Sequence, residues 1–368
     1  MADFPAPESL EDLGPRFRDW LAGRRPEASS LEVGAFEIPQ SGFSAKTVFV
    51  PVRSVQGGRE VEEKVVLRLE SPEPAIYPQQ APGLDVEIEI QYRAMEKLHA
   101  TAKLPLADLV GYEADPAVLG APFFVMEYRG GNVMVENPPY TQEGFFFEAA
   151  PADRRAMVEA GLQALACFHG IDWQEAGFAW LLPTGESGTM ARQVRLWDDY
   201  ARRELGTRHH PELEVAFDWL HAHLSETELP GLSWGDSRPG NIIFRGNEIL
   251  CLTDFENIAV APTSIDLGWW LMFDRSQHES VGAARLEGEP TRQEQVAIYA
   301  EAAGIPLPDT TFGEIFAGAR YAAIVVRVMN RLVQRGQMPE DNEIWLHNPA
   351  SVALQGLLAE YGIGTERD

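Results

Sequence analysis

Trp234-Gly235-Asp236-Ser237-Arg238-Pro239-Gly240-Asn241, followed by Thr253-Asp254-Phe255-Glu256, is the stretch on which the reading of this chain turns. An Asp is followed five positions later by an Asn, and thirteen beyond that by a second Asp. Pro239 and Gly240 break the backbone before Asn241, and Ile242-Ile243-Phe244 reads as a short apolar strand. Arg245-Gly246-Asn247-Glu248 then reads as a turn, and Ile249-Leu250-Cys251-Leu252 as the returning strand. Such a hairpin carries Asn241 and Asp254 to the same end and leaves Asp236 on the loop before it. Taken singly, an Asp in a loop or an Asn before a strand is ordinary turn chemistry. Together they form an oxygen set suited to magnesium, which takes one or two protein carboxylates and leaves its other positions to phosphates and water.

These spacings match the general template for phosphoryl transfer. In it the first Asp accepts the proton of an acceptor hydroxyl, and the Asn and second Asp hold magnesium beside the nucleotide. The expectation is Asp236 as base and Asn241 and Asp254 as metal ligands, with ATP and Mg2+ as cofactors and a small-molecule hydroxyl as acceptor. A protein kinase fits less well: the loop has Trp-Gly-Asp for His-Arg-Asp and Asp-Phe-Glu for Asp-Phe-Gly, with no recognisable activation segment.

On these residues the chain resembles the aminoglycoside phosphotransferase and choline kinase superfamily. Asp254-Phe255-Glu256 is similar to the Asp-Phe-Glu of choline and ethanolamine kinases. Trp234 to Asn241 is similar to a bacterial phosphotransferase branch related to the kinase-like domains joined to acyl-CoA dehydrogenases. The resemblance runs from about Leu31 to the last helix. It implies an α+β, protein-kinase-like bilobal fold, with a β-rich amino-terminal lobe over 1–128, a mainly helical lobe over 129–368, and a hinge at about 127–131.

The same resemblance assigns further residues. Ser41, Gly42, Phe43 and Ser44 correspond to the nucleotide-positioning loop, where a Gly with small hydroxyl neighbours lets backbone N–H groups approach phosphates; a hairpin turn would use the same residues. Arg68 stands where kinases carry a phosphate-binding Lys, and a guanidinium suits phosphate oxygens; Lys64 and Lys46 are alternatives. Gln91 stands where kinases place a Glu to pair with that cation, with Glu87 one turn earlier on a similar face. Met126, Glu127 and Arg129 fall on the last strand and the hinge. Glu256 would reach a second metal or the acceptor, and Asp266 would brace the catalytic loop or start a helix. Arg238 would meet charge on the transferred group, or a phosphate or carboxylate on the acceptor. Trp269 and Trp270 line the acceptor pocket or fill core.

Composition limits the partners. The chain has 368 residues, 45% hydrophobic and 23% charged, as expected of a globular protein with two sizeable cores. A net charge of −26 argues against nucleic acid and anionic membranes as partners. No apolar run reaches membrane-spanning length, and Met1 to Gly14, acidic and Pro-containing, is unlike a secretory signal. Cys167 and Cys251 read as buried small hydrophobes in a reducing, cytoplasmic setting. His209-His210 reads as a solvated loop or helix start. Arg192, Arg195, Arg202 and Arg203 hint at a basic helix face and an anionic acceptor such as a hydroxyacyl-CoA. Helices are expected at about 85–100, 152–169, 190–205, 211–224, 264–273, 291–303, 312–335 and 341–361. Against the enzyme reading stands a catalytically inactive nucleotide-binding scaffold, suggested by Arg68 and Gln91. Oligomeric state has no signature here.

Overall fold

The computed structural model describes residues 10–38, 46–225 and 227–364. Its first third holds a five-stranded antiparallel sheet built from β1 (Ala28–Val33), β2 (Lys46–Gln56), β3 (Arg59–Leu69), β4 (Leu109–Glu113) and β5 (Phe123–Glu127). The spatial order is β1-β2-β3-β5-β4. Val48, Val50 and Val52 of β2 alternate with less buried residues, and Val65, Leu67 and Leu69 of β3 share their face. Helix α1 (Leu10–Ala22) covers that face with Phe17, Trp20 and Leu21. The opposite parity of β3 sends Val66 and Arg68 to the other face.

There α2 (Glu87–Thr101) packs Ile88, Met95 and Leu98 in a core that includes Phe124 of β5. It begins two residues later than the spacing predicts. Its first turn is capped by Glu70, whose carboxylate accepts the Ile88 N–H at 2.9 Å. The link from β3 to α2, residues 70–86, does not stay with the sheet.

Beyond β6 (Asn132–Val133) the chain is mainly helical. The helices are α3 (Phe145–Glu148), α4 (Pro151–His169), α5 (Met190–Leu205), α6 (Pro211–Ala222), α7 (Ser264–His278), α8 (Arg292–Ala303), α9 (Thr311–Gln334) and α10 (Pro349–Glu360). Two small sheets lie among them: β7 (Gly231–Ser233) pairs with β10 (Ala259–Ala261), and β6 pairs with β8 (Ile242–Arg245), which pairs with β9 (Glu248–Leu252). Helix α7 is buried almost throughout and crosses α9 in backbone contact. A Cβ on Gly268 would lie 2.2 Å from the carbonyl carbon of Gly313, so only glycine permits this approach.

The α+β, kinase-like architecture is therefore present, and most helices match their expected spans. Four local expectations are corrected. The last helix starts at Pro349, not 341, because Asn348 caps it by accepting the Ala350 and Ser351 N–H groups. Cys167 is exposed on α4, while Cys251 is buried as expected. His210 starts α6 but is fully buried, accepting the Leu213 N–H and meeting Ser351 through Nε2 at 3.0 Å. Three of the four α5 arginines are engaged, which breaks up the expected basic face: Arg192 is buried against Glu186 and Gln80, Arg202 pairs with Asp198, and Arg203 pairs with Glu204, while Arg195 is exposed.

The 70–86 segment is a strap that crosses to the helical half. Glu73 meets Arg331 at 2.8 Å and Arg335 at 2.7 Å on α9. The Pro74 carbonyl accepts from Arg327 at 3.1 Å and from Arg331. The Ile76 carbonyl accepts from Tyr200 of α5 at 2.5 Å. Gln80 accepts from Arg192 and from Gln193, the latter at 2.9 Å. Among the described residues no helix is long and apolar enough to cross a membrane.

Candidate active site

The loop after β7 is bent by Gly235, which has φ of +87°. A Cβ there would stand 1.9 Å from the Asn257 carbonyl oxygen, so the turn requires glycine. The loop is held from below by Asp266, in the first turn of α7, which is completely buried. Asp266 accepts from the Ser233 hydroxyl at 2.9 Å, the Trp234 N–H at 2.6 Å and the Gly235 N–H at 3.0 Å. His169 Nε2 meets it at 3.0 Å, with Tyr299 on the other ring nitrogen. Helix start and brace are one residue's position here. From the opposite side Arg320 donates to the Gly235 carbonyl at 2.7 Å. Its guanidinium lies 4.7 Å from the Trp197 ring and 4.4 Å from the Trp269 ring, and burial pulls its pKa down to about 10.

The Asp236 carboxylate is 2% exposed and meets three donors. Arg238 Nε donates to both oxygens at 3.0 and 3.1 Å, Asn241 Nδ2 donates at 2.7 Å, and Trp269 Nε1 donates at 2.7 Å. These four contacts, two on each oxygen, match the roughly four lone-pair sites of a carboxylate, so an incoming hydroxyl would displace one of them. Trp269 is thus buried and aims its N–H at Asp236, whereas Trp270 is core and donates to Gln295 at 2.8 Å. Arg238 also bonds Glu136 and lies over the Phe273 ring at 5.1 Å. Burial opposes its charge, but Asp236 and Glu136 outweigh that and hold the guanidinium protonated.

The hairpin forms as expected. Thr253 donates its N–H and hydroxyl to the Asn241 carbonyl at 2.9 and 3.0 Å, which ties the two strand ends together. Asp254, next in the chain, has φ of +64°. A left-handed backbone on a residue with a Cβ costs about 1–2 kcal/mol, and such outliers concentrate at functional sites. Its Oδ1 is buried without a hydrogen-bond partner, and Arg68 stops at 4.0 Å. Burial pushes the Asp254 carboxyl above its ordinary range, with Arg68 opposing and Asp236 adding to the shift. An under-coordinated buried carboxylate oxygen, on a segment tied to Asn241, is a donor that fits a hard divalent cation.

Arg68 also approaches Glu256 at 3.8 Å, and Gln91 donates to Glu256 at 3.0 Å. Gln91 therefore meets Arg68 through the Asp-Phe-Glu segment. Glu87 lies between Glu70 and the strap, lining a small cavity together with Glu256, and burial, with Glu70 adding to it, pushes its carboxyl up to about 7. Lys64 is engaged by Glu37 at 2.8 Å. At the connector, Met126 belongs to β5, and Arg129 pairs with Glu127 at 2.9 Å and with Asp108 at 3.3 Å. Ser41, Gly42, Phe43 and Ser44 lie outside the described residues.

Several residues of this site carry no local sequence signal. Glu136 arrives from a loop, Arg320 from the middle of α9, and Asn257 donates to the Gly235 carbonyl at 3.0 Å. Tyr77, on the strap, is close enough to Asp236, Glu256 and Asp254 for their charges to add to the effect of burial in raising its phenol.

Comparison with known proteins places this geometry. Residues 36–301 match the family described as "Phosphotransferase enzyme family". Acyl-CoA dehydrogenase family member 10 of Mus musculus is 28% identical over 255 residues, 66% of this chain but 23% of that protein, so the chain spans less than a quarter of this relative's length. A crystal structure from Ralstonia eutropha JMP134, provisionally assigned as an aminoglycoside phosphotransferase, superposes with a TM-score of 0.66 at 21% identity, covering 95% of this chain and 99% of that one. The GDP and kanamycin complex of APH(2")-IIIa gives 0.57 at 13% identity, covering 94% and 98%. With the family match extending over most of its length, the chain belongs to the phosphotransferase enzyme family.

Proposed function

We propose that the chain is an ATP- and Mg-dependent phosphotransferase that moves the γ-phosphoryl group to a hydroxyl of a small molecule. The observation that carries this reading is Asp254: a buried carboxylate oxygen without a partner, on a left-handed backbone, tied through Thr253 to Asn241. Asn241, Asp254 and, beside them, Glu256 would hold the metal, which when bound neutralises phosphate charge. Asp236 accepts the proton of the acceptor hydroxyl, its carboxylate oriented by Trp269 and Asn241. Arg68, on β3 and within 4.0 Å of Asp254 and Glu256, would meet the phosphates, and Arg238 would supply fixed positive charge next to the base. The division falls at 127–131, with the nucleotide held by 1–128, including the loop 41–44, and the acceptor by 129–368. Two free thiols suit a cytoplasmic setting.

The acceptor classes to test are those of the relatives: aminoglycosides and choline-like alcohols, and hydroxyacyl thioesters in view of the acyl-CoA dehydrogenase relatives. The test is ADP release on such a panel. Asp236→Asn is expected to lower turnover about 10²–10⁴-fold, with ATP affinity little changed. Asp254→Asn is expected to abolish magnesium-dependent nucleotide binding. Undiminished turnover in Asp236→Asn would reassign the base.

The scaffold reading draws on the cage of donors around Asp236. It predicts nucleotide binding without ADP release for any acceptor on the panel, and any saturable turnover would exclude it.

A further inference from the structure

The strap brings one aromatic residue to the site from outside every element that forms it. Tyr77 packs edge-on to Trp197 at 6.5 Å, and a narrow cavity beneath it is lined by Gln80, Ile90, Leu181, Glu256 and Ile258. Glu256 thus forms part of the cavity wall under Tyr77. On either side of this residue the backbone is fixed by the helical half: the Pro74 carbonyl by Arg327 and Arg331, the Ile76 carbonyl by Tyr200, and Gln80 by Arg192 and Gln193. A connector that only joined a strand to a helix would need none of these bonds. Bonding the Pro74 and Gln80 carbonyls to arginines and the Ile76 carbonyl to a tyrosine sacrifices side-chain freedom, and the result is a ring held in one place beside Glu256.

We propose that Tyr77 is an acceptor-contacting residue and that the strap forms the wall of the acceptor site, setting the size of hydroxyl compound admitted and excluding water from the transferred phosphoryl group. This rests on the phosphotransfer reading given above. Two parts of the structure support it independently: the cavity shared by Tyr77 and Glu256, and the anchoring of both flanks of Tyr77. Excluding water matters because water is itself a competent, smaller acceptor.

Water is therefore the probe. Magnesium-dependent ATP hydrolysis is measured without added acceptor, alongside ATP affinity by calorimetry. Tyr77→Ala is expected to raise hydrolysis about three- to tenfold with ATP affinity unchanged, and Tyr77→Phe, which keeps the ring, to stay within about twofold of the parent. Glu73→Gln, remote from the carboxylates, is expected to speed amide exchange across 74–82 and to raise hydrolysis in the same direction. Unchanged or lower hydrolysis in Tyr77→Ala with ATP affinity intact overturns the proposal. If Tyr77→Ala fails to fold, Glu73→Gln decides: faster exchange without faster hydrolysis overturns it. Failure of the unmodified chain to bind Mg-ATP would instead refute the phosphotransfer reading, and the wall with it.

Discussion

Asp266 and Asp254 are twelve positions apart, both beside the loop that carries Asp236, and they are treated in opposite ways. Asp266 is completely buried and meets a hydroxyl, two backbone N–H groups and a histidine, all within 3.0 Å. Asp254 is buried at one oxygen, unpartnered there, and set on an unfavourable backbone. A carboxylate so fully bonded has no capacity for a ligand, whereas one left short of donors keeps its capacity and costs stability. The first holds the loop in shape; the second is where charge from outside is wanted. Glu87 resembles Asp254 in being buried next to another carboxylate, Glu70, with its carboxyl pushed up to about 7.

Removing each carboxylate sharpens the contrast. Asp266→Ala leaves buried donors without their acceptor, and a loss of about 3–5 kcal/mol is expected, read as a fall in Tm and in denaturant midpoint. Asp254→Asn should leave the midpoint nearly unchanged or slightly higher; a loss as large as that of Asp266→Ala would show that both aspartates serve the fold. Next in size is Trp269→Phe, which deletes one donor to a buried carboxylate, for about 1.5–3 kcal/mol. Here kcat should fall more than acceptor KM changes, since the base loses orientation and not the substrate. Equal changes in both would indicate a pocket residue instead.

The smallest effect concerns pH. Glu87 has a folded pKa of about 7, above its ordinary 4.5. The folded state then binds the proton more tightly than the unfolded chain, so its contribution is fully present below about 4.5 and is lost as pH rises to about 7. Glu87→Gln should match the parent at low pH and exceed it by about 1–2 kcal/mol above pH 7. Parallel stability curves for the two proteins across that range would place the titration elsewhere.

How much of this was legible follows from where each residue's partners lie in the chain. The hairpin was readable because its apolar runs and its Arg245–Glu248 turn are contiguous. Asp236, Asn241 and Asp254 could be grouped from sequence because their spacing is local, and the contacts do link them: Asn241 donates to Asp236 and is tied through Thr253 to the segment that carries Asp254. Trp269 was not, since its position on an apolar helix says nothing about where its N–H points. Glu136 and Arg320 meet Arg238 and Gly235 across 102 and 85 positions, and only the fold makes those pairs. The arginines of α5 misled for the converse reason: their spacing was visible, but Gln80, which binds Arg192, sits 112 positions earlier. Cys167 fell on the outer side of an apolar-patterned helix, where one position of phase separates core from solvent. Ser41 to Ser44 fall outside the described residues, so their proposed part in nucleotide binding rests on sequence alone.

The glycine pair at 268 and 313 has a reach beyond its own contact. Helix α7 carries both Asp266 and Trp269, and α9 carries Arg320, so the distance between two helix axes sets how these three close on one loop. A single methyl group at Gly268 would wedge the helices apart, withdrawing Arg320 from the Gly235 carbonyl while Asp266 stayed in place. The loop that carries Asp236 is thus shaped in part by a crossing point well away from its carboxylate.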